Sequence, residues 1–369
     1  MDTDFCWVMQ MGKTRQSNFE LLRIVSMLLV VMHHFALHGS WTFAAGGGVQ
    51  INDFCLLLFQ SGGKLGVDLF VMISGYFCIN SRFKIRNVMR VVFETLYYSV
   101  TALLVFAVFD PSVINGAKFI VSSILPTISG EYWFVTAYIG MIAFSPFLNN
   151  AVYSLGKSGT KKLILLSLLL FSLIPTITRM NFIMNNLAWF SLLYCIAAYI
   201  KMWGVRWRMG KIVRWVVPSI TIVVLSSFVL LMLLHIRKSP LAAMNSFFIA
   251  VAAVGLFKWF EGLNIGSIGA VNVLASSSFA VYLIHDNRLI REVLWPLFLP
   301  SYQLPAIAFA AVGILGSIVI YLACIVVDIP RQKLFEPFLF RLIEGSGIAS
   351  RLDDYDVWIN SINARGGRI

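Results

Sequence analysis

A chain of 369 residues in which 59% are hydrophobic and only 12% are charged is not an ordinary soluble domain, because soluble domains carry about 25% charged residues. Its net charge of +12 would suit a nucleic-acid partner. However, the basic residues are concentrated in short segments between apolar runs, and this distribution argues against nucleic acid.

The apolar runs are about twenty residues long, the length of a helix that spans the hydrocarbon core of a bilayer. They predict an all-α, polytopic membrane bundle of about ten transmembrane helices. A cytoplasmic N-terminal segment, residues 1–18, would precede the membrane domain of residues 19–343, and a polar cytoplasmic tail, residues 344–369, would follow it. The predicted spans lie near residues 19–38, 64–80, 88–109, 132–150, 162–179, 186–202, 212–234, 241–258, 271–286 and 305–327.

Basic residues predict the orientation of this bundle. They are concentrated in alternate connecting segments, most densely at residues 82–90 and 201–214, and are fewer in the segments between. Lysine and arginine accumulate on the cytoplasmic side of membrane proteins. The sequence therefore predicts that both termini are cytoplasmic and that the protein is a multi-pass component of the cell (cytoplasmic) membrane.

The first predicted span carries an unusual number of polar side chains. Arg23 and His34 are eleven residues apart, which is within about 20° of three full helical turns. They therefore share one face of the helix and are separated along its axis by about 16 Å. Glu20 and His38 extend the same stripe. Intramembrane residues of this kind usually face the bundle interior or a wet cavity, so they are functional candidates.

Each of these side chains also has a purely structural interpretation. Arg23 would be an anchor that snorkels to the cytoplasmic surface, and His34 would be a hydrogen-bonding residue between helices. His38 would be an interfacial histidine at the outer end of the helix. His33 points roughly 80–100° away from His34 on the same helix.

An acidic residue in the second predicted span offers His34 a partner. Asp68 enters the membrane just below the outer surface, at about the predicted depth of His34. An Asp–imidazole pair would fix the histidine tautomer and stabilise the imidazolium of a general base. The alternative is that Asp68 caps the N-terminus of its own helix, where the helix dipole favours a carboxylate.

Four motifs in chain order carry a resemblance to a known family. They are the Arg-x10-His spacing in RIVSMLLVVMHH, the stretch GVDLFVMISGYF leading to Arg82, EYWFVTAYIG at residues 131–140, and FAVYLIH at residues 279–285. In this respect the chain resembles the integral-membrane acyltransferase family three, which contains bacterial O-acyltransferases of surface glycans. The resemblance covers essentially all ten predicted spans.

The resemblance implies transfer of an acetyl or other acyl group from cytoplasmic acyl-CoA to a hydroxyl of a surface or exported polysaccharide, or of a lipid-linked glycan. By position, Arg23 and His34 correspond to the paired residues of the family's first helix. Arg82 corresponds to the basic residue after its Ser-Gly motif. The adjacent His33 and His34 give two candidate imidazoles, and the spacing favours His34.

A mechanism consistent with these residues starts at the cytoplasmic side. Arg23, Arg82 and Arg86 would bind the phosphates of acetyl-CoA, since guanidinium groups make bidentate contacts with phosphate. His34, helped by Asp68, would then either deprotonate a sugar hydroxyl or carry the acyl group as an acyl-imidazole. The sequence leaves both routes open.

Polar and aromatic residues at the predicted outer surface suit a sugar acceptor. Glu131, Tyr132 and Trp133 open the fourth span, and His285 and Asn287, with Asp286 between them, close the ninth. The alternative for Tyr132 and Trp133 is the aromatic belt at the membrane interface.

Two functions outside this class remain. A proton-coupled secondary transporter would use Asp68, Glu94 and His34 as a proton relay, but transporters usually contain paired broken helices, and we find none in the sequence. A non-catalytic scaffold among polysaccharide-synthesis partners would not need Arg23 and His34 in helical register. No metal is expected, because His34 and His38 lack a zinc-binding motif around them.

Overall fold

The computed structural model describes residues 16–39, 41, 49–179, 185–205, 207–234 and 240–364. All regular secondary structure in these ranges is helical, which confirms the predicted all-α class. Most of the predicted N-terminal segment, residues 1–18, falls outside the described residues.

The helices follow one another with short connections. Three 3₁₀ segments, Pro111–Val113, Pro240–Ala242 and Trp295–Gln303, and two π-helical turns, Leu169–Leu173 and Arg331–Phe335, lie between them. The α-helices are α1 (Ser17–His38), α2 (Ile51–Cys78), α3 (Ile85–Phe109), α4 (Gly116–Ile124), α5 (Trp133–Leu168), α6 (Ile174–Thr178), α7 (Asn186–Trp203), α8 (Met209–Leu234), α9 (Phe247–Glu261), α10 (Gly269–Ser276), α11 (Ser278–His285), α12 (Arg288–Leu294), α13 (Ala306–Pro330), α14 (Glu336–Glu344) and α15 (Ile348–Ala364).

Within the described ranges, six helical segments are long and apolar enough to cross a membrane. The protein is therefore a multi-pass membrane protein, and each of the ten predicted spans falls on helical structure, but their number stays a prediction. Two predicted spans, 132–150 and 162–179, share one run of 46 residues that breaks at Gly156, where φ is 60° and ψ is −171°. The six segments are Ser17–His38, Ile51–Cys78, Ile85–Phe109, Trp133–Thr178, Met209–Leu234 and Ala306–Glu344.

Helices α1 and α2 run antiparallel and touch through glycines of α2. A Cβ atom at Gly63 would lie 2.3 Å from the Cβ of His33, and one at Gly66 would lie 2.4 Å from the carbonyl oxygen of Ser26. These glycines therefore allow a contact that a larger residue would prevent. Because the contact holds Gly63 inside the helix, α2 begins at Ile51 rather than near the predicted residue 64.

Burial separates the inner helices from the outer ones. In the most apolar part of α2, 67% of the residues are buried, against 28% in α8 and 22% in the run that contains α5 and α6. Helix α7 packs directly on α2, since a Cβ atom at Gly75 would lie 2.6 Å from the Cα of Tyr194. Helices α1, α2 and α7 thus lie in the interior, as does α11, in which every residue is buried. Helix α8 presents its apolar side chains outward, as contact with lipid requires.

Because α1 and α2 are antiparallel, the bundle has two functional ends. We call the C-terminal end of α1, with the start of α12, the His34 end. The opposite end holds the N-terminus of α1 and the connection between α2 and α3, and we call it the Arg82 end.

Candidate functional site at the His34 end

Arg23 and His34 both face the interior of the bundle. Their exposed fractions are 7% and 8%, as the helical register of α1 predicted. Arg23 does not snorkel to the surface: its Nη1 donates to the Glu20 carboxylate at 2.8 Å, and both side chains are buried. Burial of an arginine is costly unless it is paired, so Glu20 stabilises Arg23 at this position.

His34 belongs to a directed chain of hydrogen bonds. The Nδ1 of His285 lies 2.5 Å from the carbonyl oxygen of Val281, and since a carbonyl only accepts, this nitrogen carries a proton. In neutral His285 the Nε2 is then an acceptor, and it lies 2.9 Å from Nδ1 of His34. His34 must therefore donate from Nδ1, which leaves its Nε2 unprotonated.

Nε2 of His34 makes no hydrogen bond with any described residue. His285, which bonds to Nδ1 of the same His34 ring, is completely buried. The arrangement fixes both the tautomer and the direction of the His34 imidazole. A histidine held in this way is suited to accept a proton at Nε2.

Asp286 provides the nearest negative charge. Its Oδ1 lies 3.7 Å from Nδ1 of His34, 3.5 Å from Nε2 of His38 and 3.5 Å from Nη1 of Arg291. These are ion-pair distances, longer than ordinary hydrogen bonds. The carboxylate is therefore placed to stabilise positive charge on His34 without binding it tightly. We refer to His34, His38, His285 and Asp286 as the histidine cluster.

The predicted pairing of Asp68 with His34 is wrong, and so is its alternative as a helix cap. Asp68 is fully buried in the middle of α2, and its Oδ1 accepts from the indole N–H of Trp189 at 2.9 Å. The reason is the early start of α2: Asp53 forms the capping box with Gln50 instead. Asp68 thus lies deeper than the end of the helix, and Asp286 takes the place predicted for it.

A cavity of about 160 Å³ opens beside His34. Its wall combines titratable groups with aromatic rings, a combination typical of small-molecule sites. Arg23 is not part of this wall, so the cavity alone does not join the two predicted partners of α1. The polar and aromatic residues that line it are His33, His34, His38, Lys64, Phe70, Glu131, Trp133, Phe134, Tyr282, Asp286 and Arg291.

The residues predicted to bind a sugar divide into two groups. Glu131 and Trp133 line the cavity, whereas Tyr132, Asn287 and His285 lie buried behind its wall. Tyr132 donates to the carbonyl oxygen of Leu283 at 3.1 Å and accepts from Asn287 at 2.7 Å. This second group therefore holds the wall in place and does not contact the cavity.

Two further charged residues, Arg291 and Lys64, line the cavity and were not among the predicted site residues. Arg291 pairs with Asp286, and the ammonium group of Lys64 lies 4.9 Å from the centre of the Trp133 ring. Lys64 is the first residue of the second predicted span and Arg291 follows the ninth, but nothing in their spacing along the chain indicates a shared site.

The family model described as an acyltransferase domain, Acyl_transf_3, matches residues 16–326. The chain belongs to this acyltransferase family. The match includes every residue of the histidine cluster and of the cavity wall. No curated protein and no solved structure matches the chain significantly.

At the Arg82 end, the acyltransferase holds two of its three predicted donor-binding arginines, Arg82 and Arg86, differently. Arg82 is exposed and makes no hydrogen bond or ion pair with the described residues. Arg86 instead pairs with Asp353 at 3.3 Å and with Glu344 at 3.8 Å. The two guanidinium groups are therefore not equally available to a ligand.

Helix α15, which we call the tail helix, covers the connection between α2 and α3. Asn360 accepts from the backbone N–H of Phe83 and donates to its carbonyl oxygen, both at 2.9 Å. Asp356 accepts from the N–H of Ile85 at 2.7 Å. Burial raises the pKa of the Asp356 carboxyl, although the Ile85 N–H opposes this change. The tail helix thus fixes the backbone on both sides of Lys84, next to Arg82.

A buried ion network also lies at this end of the acyltransferase. Arg331 contacts Asp328 at 2.6 Å, Glu336 at 2.8 Å and Glu94 at 3.1 Å. Arg90 adds a contact with Glu336 at 2.7 Å. Glu94 therefore has a fixed partner in Arg331, although the two residues lie far apart along the chain.

Proposed function

We propose that this acyltransferase moves an acetyl or other acyl group from cytoplasmic acyl-CoA to a hydroxyl group of a surface or exported polysaccharide. The observation that carries the proposal is the His34 imidazole, buried beside a cavity with its tautomer fixed by His285. An unprotonated Nε2 without a hydrogen bond in the described structure is what a general base needs.

The donor would bind from the Arg82 end, which we infer to be cytoplasmic. Arg82 is exposed there, and a guanidinium recognises phosphate oxygens through paired N–H groups. Arg23, about three turns from His34 on the same face of α1, would direct the pantetheine arm toward the cavity. In this proposal the thioester reaches His34, and the coenzyme stays on the cytoplasmic side.

The acceptor would enter from the opposite, outer side. Trp133 offers a ring face to a sugar, and Glu131 offers a carboxylate to its hydroxyl groups, while Arg288 holds Glu131 at 3.2 Å. Tyr132, Asn287 and His285 act as positioning residues, since they are buried behind the wall.

In the direct route, Nε2 of His34 takes the proton of the sugar hydroxyl while its oxygen attacks the thioester carbonyl carbon. The tetrahedral intermediate then expels the coenzyme A thiolate as the C–S bond breaks, and the imidazolium returns the proton to sulfur. Asp286 stabilises the imidazolium between these two steps. The acyl-imidazole route would use the same nitrogen as the nucleophile.

A gene deletion tests this function. We expect the deletion strain to lose base-labile acyl esters from its purified surface polysaccharide, and we expect the wild-type gene to restore them. Retention of every ester in the deletion strain would contradict the proposal. The transporter alternative is less well supported, because the family match favours acyl transfer and Glu94 is held by Arg331.

A further inference from the structure

The histidine cluster has the chemistry of a metal site in addition to that of a general base. His34, His38 and Asp286 each bring one ligand atom into a group whose members all lie within 4.8 Å of one another. The Asp286 Oδ1 is 3.5 Å from His38 Nε2 and 3.7 Å from His34 Nδ1. Ligand atoms about 2.0–2.2 Å from a tetrahedral zinc ion stand roughly 3.4 Å apart, so little movement is needed.

His285 supplies a fourth donor with the correct tautomer. Its Nδ1–H donates to the Val281 carbonyl oxygen, so Nε2 carries a lone pair and lies 2.9 Å from Nδ1 of His34. Metal-binding histidines are commonly oriented by such a hydrogen bond from the other ring nitrogen to a carbonyl. Imidazole and carboxylate ligands together favour zinc and its first-row neighbours over magnesium or calcium.

We propose that His34, His38, His285 and Asp286 form a binding site for one divalent cation of the zinc class. On binding, His34 changes tautomer: Nδ1 releases its proton and binds the metal, while Nε2 takes up a proton from solvent, so the imidazole stays neutral. His285 Nε2, which loses its donor in the same step, turns to the metal and completes a tetrahedral set.

Nearby charges determine how tightly this site binds. Arg291 competes for the same Asp286 oxygen at 3.5 Å, and Lys64 also lines the cavity, whereas Glu131 adds a negative charge. The Arg291 side chain is 29% exposed, so it can swing into solvent when a metal takes its place. Removal of the Arg291 charge should therefore strengthen metal binding, whereas a substitution that only disturbs the fold would weaken it.

Metal binding and acyl transfer would compete for His34. If the function proposed above is correct, zinc inhibits acyl transfer and a chelator restores it. The binding itself does not depend on that function and is measured without any acyl donor or acceptor.

The test uses the full-length protein, purified in lipid nanodiscs and stripped of metal, titrated with Co²⁺ and then with Zn²⁺ as competitor. We expect one equivalent of Co²⁺ with the intense visible bands of a tetrahedral complex, which Zn²⁺ displaces. His38→Ala and Asp286→Asn should each weaken binding by more than about tenfold, and Arg291→Gln should tighten it. His33→Asn is the matched control, because the asparagine amide can replace the contact of His33 Nδ1 with Gln60 at 2.7 Å.

Three results would overturn the proposal. They are the absence of a tetrahedral spectrum in the wild-type protein, binding that survives in the His38→Ala/Asp286→Asn double variant, and equal weakening by His33→Asn. Should the ligand variants fail to fold, Arg291→Gln still decides, since it keeps all four ligands. An unchanged or weaker affinity in that variant contradicts the site.

Discussion

The two ends of the bundle hold their charges in opposite ways. At the Arg82 end, Arg331 and Arg90 make contacts of 2.6–3.1 Å with carboxylates that are themselves largely buried. At the His34 end, Asp286 stands 3.5–3.7 Å from the basic nitrogens of His34, His38 and Arg291, beside a cavity. Tight pairs of this kind stabilise a packing arrangement, whereas loosely held charges beside a cavity are available for chemistry.

This difference separates residues that serve stability from residues that serve activity. We expect changes at the His34 end to reduce turnover while the protein stays folded. We expect changes in the Arg331 network to reduce the amount of folded protein.

The largest effect is expected from His34→Ala. Loss of the base should lower the turnover number for acyl transfer by about 100-fold or more, measured as esters formed on purified polysaccharide per amount of protein in the membrane. His33→Asn is the matched control on the neighbouring residue and should keep most of the activity. If the control loses activity as fully as His34→Ala, the assignment of the base to His34 is wrong.

Arg331→Ala should act on stability instead. It leaves the buried carboxylates of Asp328 and Glu94 without their guanidinium and Glu336 with Arg90 alone, and breaking a buried pair costs about 3–5 kcal/mol. We expect a lower midpoint of thermal unfolding in detergent and less protein in the membrane. Normal thermal stability with lost activity would move Arg331 into the functional site and break the comparison.

The two ends of the bundle also show which features the sequence could predict and which it could not. The positions of Arg23 and His34 inside the bundle followed from helical register alone, because register depends only on neighbours along one helix. The partner of His34 did not follow, since His285 lies 251 residues away along the chain. Only packing of α11 against α1 brings the two rings together.

The error at Asp68 has a local cause. The second span is predicted to begin near residue 64, which puts Asp68 near the start of its helix, whereas α2 begins at Ile51 and includes Gly62 and Gly63. In the structure α1 packs against these glycines, and tertiary contact overrides their weak helix propensity. Glu131 and Trp133, which the sequence places at the start of a helix, line the cavity. Tyr132 has the same position in the sequence, but its side chain is buried and turns away from the cavity.

Asp286→Asn should reduce turnover by a smaller factor than His34→Ala. A full charge about 4 Å from the imidazolium contributes at most about 4 kcal/mol at an effective dielectric constant of about 20. We expect part of this, a fall in kcat of about tenfold, with little change in the KM for either substrate. Asp286→Glu should recover some activity, and a selective rise in KM would instead make Asp286 a substrate contact.

Trp133→Ala should affect the acceptor alone. The ring lines the cavity beside Lys64, and loss of a stacking surface raises the KM for the glycan by about tenfold, an effect of about 1.4 kcal/mol. Trp133→Phe keeps a ring and should show a smaller rise. A change in the KM for acyl-CoA, with the acceptor KM unchanged, would remove Trp133 from the acceptor site.

The smallest effect is expected from Asn360→Ala in the tail helix. This substitution removes both hydrogen bonds to Phe83, each worth about 1 kcal/mol, and so loosens the backbone beside Arg82 without touching any charge. We expect the KM for acyl-CoA to rise a few-fold, with kcat and the acceptor KM unchanged. Ser361→Ala is the matched control, because its hydroxyl bonds only to Trp358 within the same helix. Asp353→Asn should do the reverse and lower the donor KM, since it removes the shorter of the two ion pairs of Arg86 and leaves only that with Glu344 at 3.8 Å. If both tail variants lower kcat in parallel with thermal stability, the tail helix stabilises the bundle and does not position the donor.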